Sequence, residues 1–232
     1  MNIFQTFLIG IASLAALLSV QPAEPEASPL LQRSAWRDYE APRPGTYSLP
    51  VVKQAADGEV LDADGRSLRL NQLTRGRIAV MSFIYTRCSD ARACPYATGI
   101  LNELHQLSTK DADLARGLRL ISMSFDPSMD TPKRMGEYAK VMTGRKGGAP
   151  WSFLTTASPE ALQPILTAYD QAVSVKRNAT DPAGPLNHTL RVYLIDREGR
   201  IRNIYSSGTL DLRLVLADVR TLLLEPTAQP ES

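Results

Sequence analysis

Apolar residues fall into three patterns along this chain. Ile3 to Val20 is an apolar run of 18 residues, interrupted only by Gln5, Thr6, Gly10, Ser13 and Ser19. Arg77 to Tyr85 (RIAVMSFIY) and Leu118 to Phe125 (LRLISMSF) are shorter and nearly continuous, as strands buried on both faces of a sheet are. Elsewhere the spacing is helical. Ile100, Leu101, Leu104 and Leu107 recur at threes and fours, which predicts a helix from Pro95 to about Thr109. Asp130-Thr131-Pro132 supplies an Asp or Thr cap with proline at the first helical position, predicting a helix to about Met142.

Further along, Trp151–Leu154 reads as a short strand, and Ser158-Pro159-Glu160 opens a helix toward Tyr169. Thr189–Ile195 and Arg200–Ser206 read as strands joined by the turn Asp196-Arg197-Glu198-Gly199, and Leu210–Leu224 as a closing amphipathic helix. Upstream, Val60–Leu68 has the look of a hairpin turning at Asp64-Gly65. Strand–helix–strand–helix followed by a hairpin and a helix predicts an α/β fold, a central mixed β-sheet flanked by helices. The thioredoxin-like fold has that order.

The early apolar run changes the expected compartment. Its length lies between a signal-peptide core and a spanning helix of roughly 20 residues, and no Lys or Arg precedes Arg33. Residues 1–23 are therefore expected to be a signal peptide or an N-terminal membrane anchor, with 3–20 as the tether. Residues 24–47, in a stretch rich in proline, read as an extended linker, 48–225 as the thioredoxin-like domain and 226–232 as a flexible tail. The protein is expected to be exported, either periplasmic or anchored at the outer face of the cytoplasmic membrane. Composition narrows the classes further. In 232 residues, 26 Lys+Arg face 24 Asp+Glu for a net charge of +2, and 44% are hydrophobic. Such a chain is neither disordered nor a multi-span membrane protein, and without a basic block it is not expected to bind nucleic acid.

The candidate chemistry lies in two cysteines. Cys88 and Cys94 sit where the strand ending at Tyr85 gives way to the helix expected from Pro95. Free N–H groups and the dipole at a helix N-terminus favour thiolate, the form that attacks disulfides and binds soft metals. Five residues separate the two, against two in a thioredoxin-type redox motif. A plain disulfide is the ordinary alternative in an exported protein. Of the two histidines, His105 falls on a helix face, while His188 stands where the Pro/Gly-rich stretch Asp181–Pro185 leads into a strand. Two thiolates and one imidazole form a three-donor set that suits Cu(I), Cu(II) or Zn(II). Asp126 and Asp130 read as a turn residue and a helix cap rather than ligands.

Several of these segments together resemble the Sco/SenC family. They are Phe83-Ile84-Tyr85-Thr86-Arg87-Cys88, Cys94-Pro95, Ser124-Phe125-Asp126-Pro127 with Asp130-Thr131-Pro132, and His188-Thr189 ahead of Tyr193-Leu194-Ile195-Asp196 and Gly199. The likeness runs from about Ser48 to Leu224. It implies a thioredoxin-like domain tethered at the outer face of a membrane. It also implies that Cys88, Cys94 and His188 bind one copper ion, and that the chain assists copper-centre assembly with a cytochrome c oxidase subunit as partner. The cysteine pair would then also be able to reduce or exchange disulfides on a partner; the alternative reading is an extracytoplasmic thiol–disulfide oxidoreductase that acts on a partner protein without metal. Two departures stand out: the family's usual spacer between the cysteines has three residues, not five, and Asn187 stands where an acidic residue is common.

Overall fold

The computed structural model describes residues 28–31, 38–144, 147–178 and 180–226. The segment expected as signal peptide or anchor and residues 227–232 of the expected tail lie outside the described residues. Among the described residues no helix is long and apolar enough to cross a membrane.

In chain order the elements are β1 (Lys53–Gln54), β2 (Glu59–Leu61), β3 (Ser67–Arg69), α1 (Asn71–Thr74), β4 (Ile78–Ile84), α2 (Cys94–Ser108), α3 (Ala112–Gly117), β5 (Leu118–Ser124) and α4 (Pro132–Met142). There follow β6 (Trp151–Leu154), α5 (Pro159–Ala168), β7 (Val173–Val175), β8 (Leu186–His188), β9 (Arg191–Ile195), β10 (Arg200–Ser206) and α6 (Leu212–Leu224). Six strands form one sheet in the order β1-β10-β9-β4-β5-β6. β4, β5 and β6 run parallel, while β9 and β10 pair antiparallel with their neighbours. This is the mixed, helix-flanked sheet of a thioredoxin-like fold.

Side-chain alternation divides the core between the two faces of the sheet. Ile78, Val80, Leu118, Leu120, Val192 and Leu194 pack toward α2, α3 and α6. Ala79, Met81, Phe83, Ile121, Met123, Tyr193 and Ile195 pack toward α4 and α5. All seven residues of β4 are buried, which explains its unbroken apolar sequence: a central strand with helices on both sides has no solvent face.

Local chemistry moves several expected features. The hairpin is β2–β3, but its loop is Asp62–Arg66 rather than the two residues Asp64-Gly65. Asp62 Oδ1 accepts from the backbone N–H groups of Asp64 and Arg66, so its carboxylate organises a wider turn. At α4 the cap is Thr131, whose hydroxyl accepts from Arg134 N. Asp130 does not cap that helix; it is fully buried and faces inward. His105 is buried beneath α2, its Nδ1 3.1 Å from the Ala149 carbonyl and its ring against Trp151. His188 ends a strand of the separate hairpin β7–β8, where Val173 pairs with it, and the next strand begins only at Arg191. Part of the stretch expected as linker lies on the domain: Tyr39 donates to Asp211, Gly45 N to Thr221 and Tyr47 to Asp218.

Candidate metal centre

The parallel strands β4 and β5 end side by side, and the site is built on the connections that leave them. Beyond β4 the chain makes two tight turns: Cys88 N donates to the Tyr85 carbonyl and Ala93 N to the Asp90 carbonyl. The Asp90 carboxylate, accepting from Arg92 N, fastens the second. The five-residue spacer is thereby folded up and returns Cys94 to the first turn of α2, beside Cys88. Pro95 follows, its fixed φ suited to a helix start.

From the other side β8 brings His188. One donor atom from each of Cys88, Cys94 and His188 lies within 4.8 Å of the other two, and His188 Nε2 is 3.5 Å from Cys94 Sγ. Both thiols are free in this structure. Sequence reasoning named all three residues, and the structure brings them together. A soft ion held at about 2.3 Å from sulfur and about 2.0 Å from nitrogen spaces three donors about 4 Å apart. A closing movement of less than about an ångström therefore suffices, and the donor set fits such an ion. The imidazole is wedged between aromatic rings, tilted against Phe125 at 4.9 Å and edge-on to Tyr85 at 5.6 Å. Its Nδ1 is buried with no hydrogen-bond partner among the described residues.

The two sulfurs are unequal. Cys88 is half-exposed and Cys94 buried. Hydrogen bonding to Cys94 draws the Cys88 thiol well below its ordinary pKa, opposed by burial and aided by His188 and the backbone N–H groups of Cys94 and Asp90. The bond shared with Cys88, burial and the nearby negative charge push the Cys94 thiol up. Burial and the adjacent sulfurs likewise hold the Tyr85 hydroxyl protonated far above its usual range. One thiolate on the outer sulfur, with a thiol donating to it from within, is the arrangement these contacts favour.

The neighbouring carboxylates support the frame. Asp130 accepts from Thr86 N, from Thr86 Oγ1 and from Ser124 Oγ at 2.7–3.0 Å for the first and last, tying the ends of β4 and β5 to the start of α4. Asp126 pairs with Arg87 at 2.8 Å, next to Cys88 on the rim. A groove of about 870 Å³, lined by Asp90, Arg92, Tyr96, His188 and Leu190 among others, opens the imidazole side. A smaller cleft of about 360 Å³ reaches both sulfurs between Tyr85, Pro95 and Tyr138. Two contributors were given no role in the sequence: Tyr85, which entered only as the end of an apolar strand and within a family-like segment, and Gly184, which packs against the Tyr85 ring and whose place in a Pro/Gly-rich loop was its one signal.

Comparison with known proteins adds the relatives. A family model described as SCO1/SenC matches residues 54–224. A Bacillus subtilis (strain 168) protein, "SCO1 protein homolog", is 26% identical over 144 residues, 62% of this chain and 68% of that protein. Arabidopsis thaliana ScoI with copper bound superposes with a TM-score of 0.61 at 19% identity, covering 73% of this chain and 97% of that one. BsSco, a member of the Sco family of cytochrome c oxidase assembly proteins in which a disulfide switch was identified, superposes with a TM-score of 0.59 at 20% identity, over 77% and 99% of the two chains.

Proposed function

The chain belongs to the SCO1/SenC family, and from that premise we propose that it is a copper metallochaperone that takes up one ion through Cys88, Cys94 and His188 and passes it to a copper-enzyme subunit. The observation that carries this reading is the convergence of two sulfurs and one imidazole nitrogen within 4.8 Å. Soft thiolates select Cu(I), and an added imidazole allows Cu(II) as well. Both openings leave the donors approachable, as a carrier requires of a cargo it must release. Sco proteins that superpose on this chain bind copper and are linked to cytochrome c oxidase assembly, which makes an oxidase subunit the natural recipient. Export, with residues 3–20 as signal or tether, would bring the chain to the outer face of the membrane, where a membrane-held recipient could meet it.

Anaerobic titration of the reduced chain with Cu(I) and with Cu(II) tests the reading: one tight equivalent is expected for each. His188→Ala should weaken binding by about a hundredfold or more, since even residues that only orient a ligand are worth about 10–100-fold. Unchanged affinity and spectrum in that variant would remove His188 from the ligand set, and no binding by the unaltered chain would end the copper reading.

The inequality of the thiols favours a second activity, exchange with a partner disulfide. Cys88 thiolate would attack one sulfur of the partner, forming a mixed disulfide and releasing the other as thiolate. Cys94, losing its proton to solvent, would then attack Cys88, leaving a Cys88–Cys94 disulfide and a dithiol partner, two electrons having passed to the partner. A reduced chain that reacts with a test disulfide no faster than a small free thiol would rule this out.

A further inference from the structure

His188 rides on an element that the main sheet does not hold. β7 and β8 have three residues each and form a sheet of their own. A lone two-stranded hairpin is marginal in water, so its attachment decides where the imidazole stands. On its far side hydrogen bonding does not steer the ring, because Nδ1 has no partner among the described residues; only Nε2, which faces the sulfurs, has one.

Besides the packing of Val173 and Leu186 on the core, two polar attachments among the described residues meet the hairpin. At its base Gln171 Nε2 donates to the Thr189 carbonyl at 2.7 Å. At its tip the Tyr85 hydroxyl donates to the Ala183 carbonyl at 3.0 Å, and the Ser89 hydroxyl donates to the Pro182 carbonyl. Within the tip, Asp181 accepts from Ala183 N and pairs with Lys176, so the loop moves as one piece. Gly184 seats it on the tyrosine: its φ is +98°, and a Cβ there would overlap Tyr85 Oη. The same Tyr85 ring lies edge-on to His188. Ser89 belongs to the five-residue spacer, so the stretch by which this chain departs from the shorter pattern is also the stretch that touches the hairpin.

The geometry points to Tyr85 and Ser89 as positioning residues that keep His188 within ligation range by fastening the tip of the β7–β8 hairpin to the cysteine loop. The inference deepens the copper reading and rests on it for its effect on affinity. If the imidazole is in range only while the tip is docked, apparent affinity scales with the docked fraction.

Hydrogen exchange of the metal-free, full-length chain measures docking without copper. Tyr85→Phe keeps the ring and removes the hydroxyl. It should speed exchange at residues 183–188 by about fivefold to tenfold, the range one lost hydrogen bond allows, and leave β4 and β5 unchanged. Ser89→Ala should do the same to a smaller degree, and Ser89→Thr, which restores a hydroxyl, should return the unaltered rate. Cu(I) affinity should fall by a similar factor in Tyr85→Phe. That loss should vanish when His188→Ala is already present, because the effect passes through the imidazole. Unchanged exchange in both Tyr85→Phe and Ser89→Ala would overturn the inference, as would an affinity loss that persists in full without His188. A chain that binds no copper would sink the metallochaperone reading, while the exchange rates would still decide whether the tip is fastened as described.

Discussion

Cys88 and Cys94 carry the same side chain and differ only in surroundings. The outer sulfur collects N–H donors from Cys94 at the start of α2 and from Asp90 in the spacer, with the thiol of its partner, while the inner one is buried beside negative charge. A thiol lowered in pKa is the reactive thiolate below the ordinary value of about 8.5, and a raised one is still protonated above it. Alkylation of the reduced chain near pH 6 should therefore label Cys88 first, with a rate-against-pH midpoint acid of a free thiol. Cys94→Ala should move that midpoint upward, because Cys88 loses the donor that contributes most. Equal labelling of both cysteines at pH 6 would contradict the assigned asymmetry. Gly184 offers a steric counterpart. Gly184→Ala combines a disfavoured positive φ with a clash against Tyr85, so unfolding in urea should show a loss of about 2 kcal/mol or more.

At the level of elements, what the chain announces and what it conceals have physical reasons. β4 and β5 are legible because strands covered on both faces are continuous apolar runs, and α2 because its buried positions recur at helical spacing. The pair β7–β8 is not. Val173-Ser174-Val175 and Leu186-Asn187-His188 are too short and too mixed to show a period, and they lie across a ten-residue loop. Donor chemistry and the family resemblance grouped His188 with the cysteines, but its position beside them was not legible, since it depends on that unread hairpin. The cysteine pair was legible from its position at a strand–helix junction, but the way two turns take up the spacer was not. Asp130 shows a different failure: the Asp-Thr-Pro string satisfies the capping rule at either of its first two residues, and tertiary packing chose Thr131. With Asp130 bound to three donors in the interior, Asp130→Ala strands them. It should cost about 3 kcal/mol of stability, read as a lower urea midpoint at unchanged slope, whereas Thr131→Ala should cost only about 1 kcal/mol.

Across the whole molecule, the N-terminal arm and the last helix form a brace. Asp218, buried on α6, accepts from Tyr47, Tyr205 and Asn203, and burial with that carboxylate pushes the Tyr47 hydroxyl up to about 12. Arg202 reaches the Leu49 carbonyl, Asp196 and Glu225 together. Tyr47→Phe removes one charge-assisted bond and should lower stability by about 1–2 kcal/mol. For a chain of this length that is a fall in Tm of about 2–4 °C per kcal/mol, visible by calorimetry and absent from copper affinity.

The course of that arm has a consequence of its own. β10 runs parallel to β4, so its end at Ser206 and the start of α6 lie at the same end of the sheet as the cysteine loop. Ser207 and Gly208 line the groove beside His188. Tyr39 binds Asp211 at that end, and the chain then follows α6 to Leu49 at Arg202, at the opposite end. The domain's N-terminal root and its sulfur pair thus share one pole. Upstream, Pro29–Leu31 form a short helical turn packed against α6, so only residues 21–27 separate the apolar run from the first described residue, a span of at most about 30 Å. If residues 3–20 lodge in a bilayer, that short link keeps the domain close to the lipid, where a membrane-held acceptor would have to present itself.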